Sequence, residues 1–236
     1  MDPKLHRQGQ TLYCFSPPIM LATLVIELVL AAYVFVRHRT TRFGKVAGFV
    51  LVLLATFQFA EYRICTVAEG ASLVLWARIG FVAITLLPLS GLYLVSLVSR
   101  KPRFLKLGYA TSLGFILYFV FVPKSITAAI CGGNYVLFNM SNDLYRLYGL
   151  YYLGFLLLGI WESVDKISSM ERRTRSKRTL QWLIVGYLSF MAPLGIVYMI
   201  IPETRNGVAS IMCGFAVVLA FILALKVVPA HDGLRG

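Results

Sequence analysis

Residues 19–36 read IMLATLVIELVLAAYVFV, an apolar run interrupted by a single charge, Glu27. A helix rises about 1.5 Å per residue, so a run of this length approaches the roughly 30 Å hydrocarbon core of a bilayer. A membrane strand would alternate polar and apolar residues over about ten positions, and this stretch does not alternate. In lipid each backbone group must be satisfied within its own segment or in a closed barrel. The stretch is therefore expected to be a transmembrane helix. Lys4, His6 and Arg7 ahead of it mimic the head of a signal peptide. The apolar run is too long for a signal core, and Arg37-His38-Arg39 stands where a small-residue cleavage site belongs. Pro17-Pro18 suits the start of a helix.

Outward from this run, six more apolar stretches follow, at about 46–63, 72–98, 107–122, 143–163, 179–201 and 207–228. They account for the composition of the whole chain: 236 residues, 58% hydrophobic, 14% charged, with a mean hydropathy of +0.76. A soluble domain is about 45–50% apolar and about 25% charged, so an ordinary soluble domain, a disordered tail and a secreted disulfide scaffold are excluded. The expected fold is an all-α membrane protein, with residues 1–236 forming one seven-helix transmembrane domain.

The basic residues set the expected orientation. Arg37, Arg39, Arg42 and Lys45 follow span one; Arg100, Lys101, Arg103 and Lys106 follow span three. Lys166, Arg172, Arg173, Arg175, Lys177 and Arg178 follow span five, and Lys226 and Arg235 lie at the C-terminus. This side holds 16 of the 23 basic residues. The positive-inside rule then places the N-terminus outside and the C-terminus in the cytoplasm. The net charge of +13 reads as topogenic charge beside anionic lipid. It is spread over three loops with no nucleic-acid module, so no nucleic-acid partner is expected.

The outer loop at about 123–142 contains Cys131-Gly132-Gly133-Asn134 followed by Tyr135-Val136-Leu137-Phe138. Turn residues between two β-prone runs predict a small hairpin across the outer mouth. Cys14, Cys65 and Cys131 all fall on that oxidising side. A bridge Cys65–Cys131 or Cys14–Cys131 would pin the loop; the alternative is three free thiols. No C-x-x-C or Cys/His cluster is present, so neither a metal nor another cofactor is expected.

Ionisable residues inside a membrane are costly and mark functional candidates. Glu27, Gln58, Glu61, Arg78, Tyr148 and Tyr151 all fall in the outer halves of their spans, whereas residues 28–36, 46–55 and 153–161 and the inner halves of spans six and seven before Lys226 carry no charge. A transport path needs polar lining on both halves; an outward-facing cup needs it only on one. Each candidate has a plainer alternative. Glu61 could face headgroup water at a helix end. Arg78 could be a structural clamp paired with Glu61 or Glu27. Tyr145, Tyr148 and Tyr151, spaced by three, could form an interface belt. Catalytic readings fail: there is no G-x-S-x-G, no H-E-x-x-H and no aspartate pair inside the spans, so no enzyme is expected.

Trp76-Ala77-Arg78-Ile79-Gly80 with Pro88 in span three, the glycine-containing outer loop leading into Asp143-Leu144-Tyr145, the tyrosine-rich fifth span, and Arg178-Thr179-Leu180-Gln181 before span six together resemble the seven-helix N-terminal sensor region of some bacterial histidine kinases. The likeness covers about residues 19–229. It implies a sensory module in a bacterial or archaeal cytoplasmic membrane. It also implies that the seventh helix leads into a cytoplasmic kinase or cyclase. This sequence runs only from Pro229 to Gly236 beyond that helix, so the expectation is either that a separate signalling partner carries the output, that the sequence is a piece of a longer protein, or that the fold serves another purpose.

The expected function is thus a receptor or sensor-like module among membrane lipids. It binds a small molecule or lipid in an outer cup floored by Glu27, Gln58 and Arg78 and walled by Tyr148 and Tyr151, with the hairpin as lid. The alternatives are a small proton-coupled carrier using Glu27 and a structural subunit of a membrane complex.

Overall fold

The computed structural model describes residues 16–66, 70–100, 103–131, 136–140, 142–170, 175–200 and 207–232; of Ala71 and Asn142 only the backbone is described. Each apolar run forms a helix: α1 (Pro17–Arg37), α2 (Arg42–Thr66), α3 (Ala71–Ser99), α4 (Leu105–Phe121), α5 (Asn142–Ser168), α6 (Arg175–Ile200) and α7 (Val208–Asp232). Six of them are long and apolar enough to cross a membrane. The seventh, α4, has 17 residues, the lower end of the spanning range of about 17–25. The chain is an all-α membrane bundle.

The helices overrun the expected spans at their basic ends. α2 starts at Arg42 rather than 46 and α6 at Arg175 rather than 179, while α5 runs on to Ser168 and α7 to Asp232. Apolarity ends where lipid ends, whereas backbone bonding continues through a charged turn that faces headgroups and water. Within α7 a π-helical turn, Leu223–Val227, comes just before Pro229, where the extension begins. Such a local register change is one way a helix accommodates a residue lacking an N–H.

Packing follows the helical period. On α1 the buried residues Met20, Thr23, Leu24, Glu27, Leu30, Ala31 and Val34 form one stripe, while Val25, Val29 and Val36 face outward. The outward residues are the apolar surface a bilayer covers. Close approach of α1 to α2 needs Gly48: a Cβ there would lie 2.7 Å from the Phe35 ring. Successive helices touch in a ring that closes where α7 returns to α1 and α2, and α3 also reaches α5 and α6. Phe57, Phe81, Ile84 and Leu92 are fully buried between them.

Strands β1 (Ala128–Cys131) and β2 (Val136–Asn139) pair antiparallel, with Ala128 opposite Asn139 and Cys131 opposite Val136. This is a hairpin in the expected loop; its turn at Gly132-Gly133-Asn134 lies outside the described residues, as does Cys14. Phe138 packs against Phe57 and Phe81, with ring centroids 6.2 and 4.9 Å apart. Cys131 is bridged to Cys65 near the end of α2. The bundle thus has a hairpin end and an opposite end. At the opposite end His38, just after α1, pairs with Asp232 of α7, and His231 stacks on Phe43 with centroids 4.1 Å apart.

Candidate functional site

Three of the expected residues come together below the hairpin, between α1, α2 and α7. Glu27, Gln58 and Glu61 are 0%, 2% and 1% exposed, and Ser210 of α7 beside them is 1% exposed. Ser210 donates to the Glu61 carboxyl and accepts the backbone N–H of Val136 at 3.2 Å. The hairpin, α7 and α2 are therefore joined through a single hydroxyl. Glu27 lies within electrostatic reach of Glu61, and both carboxyls reach Cys213. Among the described residues neither oxygen of Glu27 has a hydrogen-bond partner, and Oε1 of Glu61 has none. A cavity of about 10 Å³ opens among Thr23, Gln58, Glu61, Ser210 and Gly214, enough for one water-sized particle.

The alternative in which Glu61 faces headgroup water is overturned by this burial. α2 continues for another turn to Thr66, and the bridged hairpin lies over its end.

Arg78 does not join the carboxyls. Its Nη2 donates to the carbonyl oxygens of Pro123 at 2.6 Å and Val122 at 3.4 Å. Val122 is the C-cap of α4, where backbone carbonyls lack helical partners and the helix dipole favours a cation. The expected pair with Glu61 or Glu27 is corrected accordingly: among the described residues no ion pair involves either glutamate. Arg63, the other nearby cation, lies 5.4 Å over the Trp76 ring.

Tyr148 and Tyr151 belong to a different cluster, between α3, α4 and α5. The Thr85 hydroxyl donates to the Phe81 carbonyl at 2.6 Å, so at 3.1 Å the Tyr148 hydroxyl donates to Thr85 Oγ1. Tyr151 donates to the Thr85 carbonyl at 2.6 Å and takes the Ser112 hydroxyl proton at 2.7 Å. Both rings pack against Phe115, and Tyr148 also against Phe81 and Phe119. Burial takes these tyrosines out of an interface belt. They are 6% and 7% exposed, with every hydroxyl paired and every ring face occupied. The expected residues thus fall into two groups: Glu27, Gln58 and Glu61 beside Ser210, and Tyr148 and Tyr151 beside Thr85, with Cys213 in electrostatic reach of both.

Farther from the hairpin, a second cavity of about 30 Å³ lies among Val50, Leu87, Leu94, Leu219 and their neighbours, with Tyr152, Tyr187 and Cys213 as its polar lining. The Tyr187 hydroxyl sits directly against Gly91, where no Cβ would fit.

Ser210 had a weak sequence signal, a lone hydroxyl in the outer half of an apolar span. The His38–Asp232–His231 cluster had none, because its members are far apart in sequence and lie outside the apolar runs. Among the described residues no group of three His, Cys, Asp or Glu is placed to hold a metal ion. No protein-family model matches this chain, and no curated protein matches it, so no relative lends it an activity.

Proposed function

We propose that the chain is a sensor-like membrane module that takes a small ligand at the Glu27/Glu61 site and passes the change along α7. In this reading the N-terminus and hairpin face outward, and the C-terminal end of α7 faces a cytoplasmic or membrane partner. The orientation rests on the basic loops, and the sensor class on the resemblance carried by span three and the Tyr-rich fifth span. The observation that carries the proposal is Ser210. It is hydrogen-bonded both to the outer cap and to a buried carboxyl, and it belongs to the helix that reaches the His38–Asp232 pair at the far end. A ligand that changes the Glu61 contact must change a contact of α7.

Two features narrow the reading. The site cavity is about 10 Å³, far below the roughly 300–1,000 Å³ that hold a drug-sized molecule, so the ligand has very few atoms. The inner cavity is lined almost wholly by apolar side chains, which supports a sensor over a carrier that must solvate its cargo across both halves.

The test is hydrogen exchange at the amides of residues 230–232 in Ser210→Ala and Glu61→Gln variants. Loss of a contact worth ~1 kcal/mol is expected to change exchange there about fivefold. A folded variant whose far end of α7 exchanges as in the wild type would sink the relay.

A further inference from the structure

α6 and α7 approach most closely at Gly186, where a Cβ would lie 2.8 Å from Leu219 and 3.6 Å from Ile222. One turn nearer the start of α6, the same seam brings together Trp182 and Lys226, with the Lys226 Nζ 5.8 Å from the centre of the indole ring. Lys226 belongs to the π-helical turn Leu223–Val227, a local register change of a kind frequent at functional sites. Arg178 stands four residues before Trp182, so the two side chains are neighbours on the helix surface. Arg175 lies on the same face, a turn further along. Arg175, Arg178 and Lys226 are exposed, and Trp182 is half-buried.

These cations have no counter-charge on their own helices. α6 contains no acidic residue. The single acidic residue of α7, Asp232, is in contact with His38 and His231. Among the described residues no ion pair involves Arg175, Arg178 or Lys226. The positive end of the α6 dipole adds to the same charge. Like charges gathered in this way repel one another until an anion sits among them.

The surroundings select the anion. Trp182 packs its ring partly against the core, as an indole does at headgroup depth. Toward the middle of the bundle the seam is flanked by exposed apolar side chains, Val185 of α6 and Val218 and Leu225 of α7. A soluble anion would use the cations alone, and an acidic protein segment would dock beyond the bilayer. A phospholipid uses both parts, cations for its phosphate and an apolar track for its chains. The guanidinium fork of Arg178 suits phosphate oxygens, and an ammonium group adds a compact charge. We infer that Arg178, Trp182 and Lys226 bind the phosphate of an anionic phospholipid, with Arg175 adding charge and the acyl chains lying along Val185, Val218 and Leu225. The inference goes beyond the sensor reading and requires only that the bundle sits in a bilayer.

The experiment is quenching of Trp182 fluorescence by brominated lipid. It uses the full chain carrying Trp76→Phe and Trp161→Phe, reconstituted in phosphatidylcholine bilayers. Brominated phosphatidylglycerol is expected to quench with about tenfold the apparent affinity of brominated phosphatidylcholine. Arg178→Gln and Lys226→Gln are each expected to lower that preference about fivefold, the weight of one cation beside anionic lipid. Arg39→Gln removes one exposed charge between α1 and α2 and is expected to leave the preference unchanged. Should the single-tryptophan chain fail to fold, native mass spectrometry decides: phosphatidylglycerol retained over phosphatidylcholine by the wild type, and lost in Lys226→Gln, supports the site.

Equal quenching by the two lipids, or equal retention of both, overturns the inference. A loss in Arg39→Gln as large as that in Lys226→Gln also overturns it, because the preference would then belong to diffuse charge. Displacement of the brominated phosphatidylglycerol by inorganic phosphate at constant ionic strength would assign a soluble anion instead of a lipid. Displacement by a polyglutamate peptide would assign an acidic protein. The sensor reading is tested separately, by exchange at residues 230–232 in Ser210→Ala and Glu61→Gln, so either can fail alone.

Discussion

The carboxyl pair and the tyrosine cluster lie in the same bundle and were equal candidates by sequence. Each puts oxygen atoms into an apolar interior. Tyr148 and Tyr151 find Thr85 and Ser112 at 2.6–3.1 Å and bury their rings among phenylalanines. Glu27 finds no partner for either oxygen among the described residues. A buried polar group with every bond made contributes to stability, whereas one with bonds missing costs about 1–3 kcal/mol, and more if charged. The difference separates a structural core from the cluster proposed as the site.

Mutation can break this comparison most directly on its structural side. Tyr151→Ala removes a ring packed against Phe115 and Phe155 and strands the Thr85 carbonyl and the Ser112 hydroxyl. A loss of about 3–5 kcal/mol is expected, the range for truncating a buried aromatic, read from denaturant unfolding in micelles. Tyr151→Phe keeps the ring and strands the same two groups, so it should recover roughly half of that loss. If Tyr151→Ala costs less than about 1 kcal/mol, the cluster is not core, and the tyrosines return as candidate ligand contacts.

The opposite sign is expected at the carboxyl pair. Glu27→Leu replaces a carboxyl that has no partner among the described residues with a side chain suited to the α1 stripe, between Thr23 and Leu24 on one side and Leu30 and Ala31 on the other. A gain of about 1–3 kcal/mol is expected, measured by the same unfolding assay. A destabilisation as large as that of Tyr151→Ala would mean that Glu27 has a structural partner and would erase the distinction between the clusters.

How far the sequence showed this division depends on the residue. Glu27 could be placed on a buried face, because Met20, Leu24, Leu30 and Val34 repeat around it at helical spacing. Glu61 could not, because a carboxyl near a helix end has the same local pattern whether it faces headgroups or a hairpin that folds back over it. The three-residue spacing of Tyr148 and Tyr151 put them on one face. Their partners, single hydroxyls on α3 and α4, carry no periodic signal. Arg78 is held by carbonyls 44 and 45 residues away, and backbone acceptors leave no mark in the side-chain sequence. The helices were legible because lipid imposes length and apolarity on each segment separately. The site was only partly legible because it depends on which faces of α1, α2 and α7 meet.

The smallest expected effect lies at the other end of α7 and sharpens the comparison by testing whether the two ends are connected. Asp232 contacts His38 after α1 and its own neighbour His231, whose ring is stacked on Phe43 of α2. Asp232→Asn keeps the shape and removes the charge, so the expected cost is at most about 1 kcal/mol, the scale of an ion pair near water. Global unfolding should scarcely register it. Exchange of the amides at residues 230–232 should rise severalfold, because local opening needs only this contact and the stacking to fail. If the ends are coupled through α7, Asp232→Asn must also alter the response at the carboxyl pair, since coupling between two sites is reciprocal. Exchange at the hairpin amides of residues 136–139 should then differ from that of the wild type. Faster exchange at residues 230–232 with unchanged exchange at the hairpin would show a local fastening, with α7 a pillar between two independent ends.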